Sequence, residues 1–511
     1  MNKNLFTIII IATGLLLGVI LTPAIILSDT GGISALIKYL GILFGLITLA
    51  KPATAPWLLT VLFFTQDYFK KIATFYGIAS EQVLYEVMGV SYGVCVTAAL
   101  GSIITLSRRR QSPIPALGMY FIGAAVTLIV LAIGMKTEPF VAAGYNAAAF
   151  GLPSVMATLM YIYFSTDLKK VENLIKFQFF FSVVWALVAL KQVYAGYSEI
   201  DYYYMRSGLS PTATMQFFTD LASGGDPRPF GMGSGSPSLN SIACFGFYGI
   251  WRAFSHSNLD GKRLLIFKRL IYCVGGLLIC VAMFEGRLKT SMACLVLCWI
   301  FYTAYLNKWL TITFYISGVI AFVLLVLNST YILDNLASWD TVVASKLGRD
   351  YSIQTYSDRL RSFETLKDAK YYSLLGTNTE YYIHDFFSLV LIKSGVVGLF
   401  AFVATAFTGA YYIHSWTWRL PKNLQPFYAA QLTMLIPFTA LIGLGGRGDL
   451  HVTPNNIRIW TLVGCIIVTI VRVKQARTAT QTTTSPPPEV LETPHRRGYV
   501  AGPAPTPARF R

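Results

Sequence analysis

LFTIIIIATGLLLGVILTPAIIL, residues 5–27, runs without a single charged side chain. At 1.5 Å rise per residue a helix of this length covers a hydrocarbon core of about 30 Å. A cleaved signal peptide has a shorter apolar region and a small-residue cleavage site. Here Ser28, Asp29 and Thr30 lead directly into another apolar run. The block therefore reads as a retained first membrane span.

The pattern repeats along the chain. Apolar blocks follow at Ile33–Ala50, a short Ala53–Thr65, Val83–Leu106, Pro115–Gly134, Val141–Phe164 and Gln178–Tyr194. After a long polar stretch come Ser241–Phe254, Leu264–Phe284, Leu288–Leu306 and Leu310–Leu327; after a second come Phe386–Tyr412, Ala429–Leu444 and Ile457–Val471. The composition agrees: of 511 residues, 54% are hydrophobic and 13% charged, against about a quarter charged in a soluble domain. The expected fold is all-α, a polytopic transmembrane helical protein of about 12–14 spans with a large, partly helical periplasmic loop.

Lys and Arg in short loops mark the cytoplasmic side. With alternating helices and the N-terminus inside, Lys51, Arg108–Arg110, Lys169, Lys170, Lys176, Arg252, Lys262, Arg263, Lys308, Arg419 and Lys422 all fall on the inner side, as do Arg472, Lys474 and Arg477. Both termini are expected on the cytoplasmic side. The net charge of +17 then reads as topology and attraction to anionic headgroups rather than nucleic-acid binding.

All seven cysteines lie in expected spans, so no disulfide framework is expected. The organisation predicted is a helical domain over 1–472, outer loops at 195–240 and 328–385, and a tail over 473–511. That tail, rich in Pro and Thr, lacks the apolar surface to offset its ordering entropy.

Chemistry, where there is any, belongs on the outer side. In the second loop YSDRLRSFETLKDAK places Leu360, Phe363 and Leu366 at near-helical spacing, predicting a short amphipathic helix; Asn328–Lys346 predicts another. Of five histidines only His384 and His451 are outside. His384 sits with Asp385 where the loop re-enters the membrane, either capping the next helix or touching a lipid-linked and a water-soluble substrate together. Arginines on this side run against the orientation rule: Arg228, Arg287, Arg359, Arg361 and Arg447. They either pair with nearby carboxylates or bind an anionic substrate, for which Arg287, in the tight FEGRLKTS turn, is the best placed. No Walker loop, HExxH, CxxC or GxSxG occurs, and the mid-span charges Lys38, Glu86 and Lys191 suggest no ion-coupling pair.

Three stretches together resemble the O-antigen ligase and Wzy-type polysaccharide polymerase superfamily. RPFGMGSGSPSLNSIA resembles its Arg-x-x-Gly…Asn-Pro-Asn segment, with Ser-Pro-Ser-Leu-Asn replacing the usual form. EGRLKTSMACLVL resembles its Ser-Arg helix start, with Gly286–Arg287 instead. RLRSFETLKDAKYYSLLGTN followed by HDFFSLVLIKSGVVGLFAF resembles its loop end and re-entry helix, with His384, Asp385, Gly395 and Gly398 on the motif. Asp385 departs from the usual Asn or Ser.

The resemblance implies metal-independent, cofactor-free, inverting transfer from an undecaprenyl-pyrophosphate-linked glycan donor to a glycan or lipid acceptor. His384 would be the base, a role its usual pKa suits. Arg287 and Arg228 would bind the pyrophosphate, Arg359 and Arg361 would close over the site, Asp385 would share or alter the role of His384, and Tyr382 with Tyr381 would stack on acceptor sugars. A flippase and a chain-length regulator are the partners implied. A polymerase is the first reading; a ligase acting on lipid A-core or protein, and a polysaccharide transporter or flippase, are the alternatives.

Overall fold

The computed structural model describes residues 31–76, 81–109, 128–136, 168–208, 228–233, 242–255, 265–286, 289–347, 357–377 and 387–400, with shorter pieces within 143–164, at 239 and within 425–434. Among them every regular element is helical. The chain divides into Met1–Arg472 and Val473–Arg511, and the second unit lies wholly outside the described residues. The expected first span, residues 5–27, also lies outside them, as do most of 115–134, 141–164, 429–444 and 457–471.

We number the helices α1 Gly31–Ala50, α2 Ala55–Phe75, α3 Glu81–Arg109, α4 Leu168–Tyr194, α5 Glu199–Arg206 and α6 Ala243–Phe254. They continue with α7 Ile266–Glu285, α8 Lys289–Tyr305, α9 Lys308–Leu327, α10 Ser329–Leu347 and α11 Ser357–Glu364, then α12 Phe387–Phe400. Four of these, α3, α4, α7 and α9, are long and apolar enough to cross a membrane, and α1 with α2 makes a fifth when counted as one bent span. Helix α6 has 12 residues, about 18 Å of rise, too short to span alone. Helix α2 runs ten residues past the expected Thr65 boundary, to Phe75. Pro52 separates α1 from α2: its missing N–H and ring end the first helix at Ala50, and the axis turns by 118°.

Side-chain pairings give the directions. Gly41 faces Val90, Gly45 faces Thr97, and Gly101 abuts the Leu49 carbonyl, so α1 and α3 are parallel. Helix α2 returns alongside α3, with Ser91 bonded to Gln66 and Pro52 beside Gly101. Trp57–Phe177 and Phe64–Phe181, at 5.4 and 5.3 Å, set α4 parallel to α2. Phe179–Tyr248 and the Glu172–Arg252 ion pair make α6 antiparallel to α4. Gly249 nearly touches Gly276, and Gly246 meets Cys280, so α7 runs against α6 with their backbones in close approach. Phe247–Trp299 and Trp251–Tyr302 align α8 with α6, and Phe301–Phe314 turns α9 back again.

These directions sort the chain's charges. One end of the bundle gathers Lys51, the Arg109 terminus of α3, Lys169, Lys170, Lys176, Arg252, Lys268, Arg269 and Lys308. The other gathers Tyr194, α5, Glu285, α10 and α11. At the basic end Arg252, 1% exposed, lies 3.0 Å from Glu172, which Lys176 also meets at 2.7 Å. Removing one member of such a buried pair costs about 3–5 kcal/mol. The flank of α9 is almost wholly uncovered by the rest of the chain, an apolar surface of the kind that faces lipid.

Two expectations about intrahelical charge are corrected. Lys38 and Glu86 do pair, at 3.1 Å between α1 and α3, with the Ser34 hydroxyl donating to the same carboxylate at 2.6 Å. Parallel packing brings them into register, which block-by-block reading does not show. Lys191 is exposed near the end of α4 and donates to the Gly196 carbonyl at 2.8 Å, reaching past the helix end as long cationic side chains do.

Candidate functional site

At the end opposite the basic clusters a buried polar network holds Phe230 and Gly231, the end of the segment that begins at Arg228. It starts with a capping box. The Ser198 hydroxyl accepts from Asp201 N–H at 3.3 Å, and the Asp201 carboxylate accepts from Ser198 N–H at 3.3 Å and from its hydroxyl at 2.8 Å. This starts α5 and turns Asp201 inward, where Lys71 of α2 meets it at 3.2 Å. Lys71 is fully buried, donates also to the Gly231 carbonyl at 3.1 Å, and stands 4.0 Å over the Phe230 ring. Its three donor directions are thereby used by a carboxylate, a carbonyl and a π-face.

Gln192 of α4 completes the clamp. Its Oε1 accepts from Phe230 N–H at 3.0 Å and Gly231 N–H at 2.8 Å, while its Nε2 donates to the Gly231 carbonyl at 3.0 Å and to Asp201 at 3.2 Å. Gly231 has φ +60, and a Cβ there would sit 3.0 Å from the Trp185 carbonyl. Phe230 stacks on Tyr197 at 5.3 Å and packs with Met205. Arg228, half-buried, opens this pinned segment.

Helix α7 reaches the same end. Its last residue, Glu285, accepts a hydrogen bond from the Tyr194 hydroxyl at 3.0 Å, joining the ends of α4 and α7. Gly286 closes the helix and α8 opens at Lys289; Arg287 and Leu288, between them, lie outside the described residues.

The second polar stretch folds as expected into helices, α10 and α11. Ser329 and Thr330, in the first turn of α10, donate their hydroxyls to Glu364 at the end of α11, and Lys367 meets Glu364 at 3.1 Å. A carboxylate also suits a helix N-terminus. Partial burial pushes the Glu364 carboxyl up, but hydrogen bonds from Ser329, Lys367 and Thr330 outweigh it and hold it below the ordinary carboxylate range. Phe322 of α9 meets Phe363 of α11 at 6.0 Å and Phe387 of α12 at 5.4 Å. The loop helices and the start of α12 thus share one aromatic contact.

Helix α12 is interrupted at Gly395, which has φ +69. The segment 373–377 enters the gap: Thr377 N–H donates to Ile392 O at 2.9 Å, Val396 N–H to Ser373 O at 3.0 Å, and Val397 N–H to Leu374 O at 3.3 Å. Backbone groups that the break would orphan therefore find partners, as an apolar setting requires. A Cβ on Gly395 would lie 2.4 Å from Gly376 N, so only glycine fits. Thr377 is thereby held at Ile392, and Phe387 packs on Phe322 at the start of α12; residues 378–386 between them lie outside the described residues.

The residues singled out from the sequence are placed unevenly. Arg228 begins the segment that the clamp holds at Phe230 and Gly231. Arg361 is exposed on α11; Arg359 belongs to the same helix, its side chain outside the described residues. Arg287, Tyr382, His384 and Asp385 lie outside the described residues, though the structure describes the backbone flanking each. Lys71, Gln192 and Asp201 were not anticipated. The available signal was the periodicity of Phe69, Ile72, Ala73 and Phe75, which continues α2 beyond Thr65 and carries Lys71 with it. Compared with protein-family models, curated proteins and solved structures, the chain matches none.

Proposed function

We propose that this chain is a membrane glycosyltransferase of polysaccharide assembly, joining undecaprenyl-pyrophosphate-linked repeat units on the outer face of a bacterial inner membrane. The observation that supports it is the insertion of residues 373–377 into the break at Gly395. His384 and Asp385 follow that inserted segment by seven and eight positions in the sequence, and Phe230, two positions from Arg228, is clamped with Gly231 at the same bundle end. Pyrophosphate is a good leaving group, so arginines that stabilise its growing charge suffice and no general acid is required. The acceptor hydroxyl needs a base titrating near neutrality, the part given to His384. As the acceptor O–C bond forms at the anomeric carbon, the C–O bond to pyrophosphate breaks with inversion. The hydroxyl proton passes to the imidazole.

The test is transfer by purified full-length protein from a lipid-linked donor in the presence of a chelator. Activity in the wild type, lost in His384→Ala and in Arg287→Ala, supports the assignment. Full activity in both variants removes it. Polymer length in the product separates polymerase from ligase, since a ligase moves a finished glycan once.

A second reading, a transporter or flippase, draws on the Lys38–Glu86 pair. Glu86 lies in the second turn of α3, and Lys38, the eighth residue of α1, is largely exposed, whereas coupling sites are enclosed at the midplane. Substrate movement that survives His384→Ala but fails in Glu86→Gln would favour it.

A further inference from the structure

Helix α5 presents an unusual face. Glu199, Tyr202, Tyr203 and Arg206 are its exposed residues, spaced i, i+3, i+4 and i+7 and so aligned along one side. Tyr202 and Tyr203 are 39% and 50% exposed. The opposite side, Asp201, Tyr204 and Met205, is buried in the clamp. The two outward rings are also held from beside: Tyr203 meets Phe75 at 5.9 Å, Tyr202 meets Tyr197 at 5.5 Å, and the Arg206 guanidinium stands 5.8 Å from the Tyr202 ring.

We infer that this face of α5 is a docking platform for the glycan acceptor, an inference that rests on the glycosyltransferase reading and names its second substrate site. The C–H face of a sugar ring is weakly positive and meets the negative face of an aromatic ring, while tyrosine hydroxyls, a carboxylate and a guanidinium serve its hydroxyls. Tyrosine supplies this contact at low entropic cost because it has few rotatable bonds. The charges choose the occupant. A helix lying on lipid carries Trp, Phe or Leu on its buried face and an excess of Lys and Arg on the other. Here the outward face holds no aliphatic side chain, and Glu199 balances Arg206. Below it the Lys71–Asp201 pair and the capping box fix the helix, so the rings are preorganised. The same clamp holds Gly231 and Phe230, the latter two positions from Arg228, placing the platform beside the segment assigned to the donor phosphates.

The test uses full-length protein in nanodiscs and oligosaccharides released by mild acid from the lipid-linked intermediates of cells that carry this chain. Binding is followed by saturation-transfer NMR. Tyr202→Ala/Tyr203→Ala weakens it about tenfold, and Tyr202→Phe/Tyr203→Phe keeps it within about threefold because the rings remain. In the transfer assay the alanine variant raises KM for the acceptor and leaves kcat unchanged. Unchanged binding in the alanine variant, or no binding by wild type, overturns the platform. So does quenching of a fluorophore at Tyr203→Cys by headgroup spin-labelled lipid that oligosaccharide leaves unaltered, since the face is then a membrane contact. Binding lost in the alanine variant while wild type transfers no sugar keeps the platform and removes the transferase reading.

Discussion

Gln192 holds Gly231 through both of its backbone groups, accepting from the N–H at 2.8 Å and donating to the carbonyl at 3.0 Å. The primary amide offers an acceptor and a donor at this spacing. Gln192→Leu leaves Phe230 and Gly231 N–H groups unpaired, at about 1–3 kcal/mol per buried group. Gln192→Glu keeps the volume but sets a carboxylate against Asp201 and the Gly231 carbonyl, and is expected to cost more. Thermal unfolding of the purified variants in detergent gives the order; glutamate better tolerated than leucine contradicts the donor assignment.

Lys71 and Asp201 form a fully enclosed ion pair. Lys71→Met strands a buried carboxylate and is expected to destabilise by about 3–5 kcal/mol. Adding Asp201→Asn removes that charge and recovers part of the loss, so the two effects are not additive. A double variant no more stable than Lys71→Met would show that Asp201 is neutralised some other way.

Gly395→Ala forces a Cβ into the inserted segment and into left-handed backbone. Its effect is expected to concentrate locally: faster amide exchange at Thr377, Val396 and Val397, with Gly318→Ala, where a Cβ meets nothing within 4 Å, as the neutral control. Equal behaviour of the two variants speaks against the interrupted helix.

The Glu364 contact to Ser329 and Thr330 gives the α10–α11 junction a pH dependence. The folded carboxyl titrates below its unfolded value of about 4.3, so its stabilisation is present above that value. It is lost as pH falls through the lowered folded value. Limited proteolysis between α10 and α11 should accelerate on acidification in wild type and lose that dependence in Glu364→Gln. A junction that loosens toward alkaline pH instead has the wrong sign.

Much of the helical layout was legible. The block at Leu310–Leu327 matches α9, and Leu264–Phe284 matches α7 to within two residues at either end. Apolar length is a local property that the backbone must obey in the absence of water. The helices of the second polar stretch were legible for the same reason, from the spacing of Leu360, Phe363 and Leu366. Elements mixing polarity were harder: α2 carries Asp67, Lys70 and Lys71 on an otherwise apolar helix, and reading by hydrophobicity alone stops too early. For the candidate site, His384 and the arginines stood out by type and position, whereas the clamp beneath Arg228 did not.

By itself the sequence determined that the chain is helical and apolar, and that its basic residues collect between alternate helices, because both follow from composition along short windows. Tertiary structure alone decided which polar groups meet. Lys71 and Asp201 are separated by 130 positions and Lys71 and Gly231 by 160. These groups are far apart in the chain until helix direction brings α2, α4 and α5 to one end. Burial there makes an unpaired charge costly, so the partners are selected by packing, and no local pattern in the sequence encodes them.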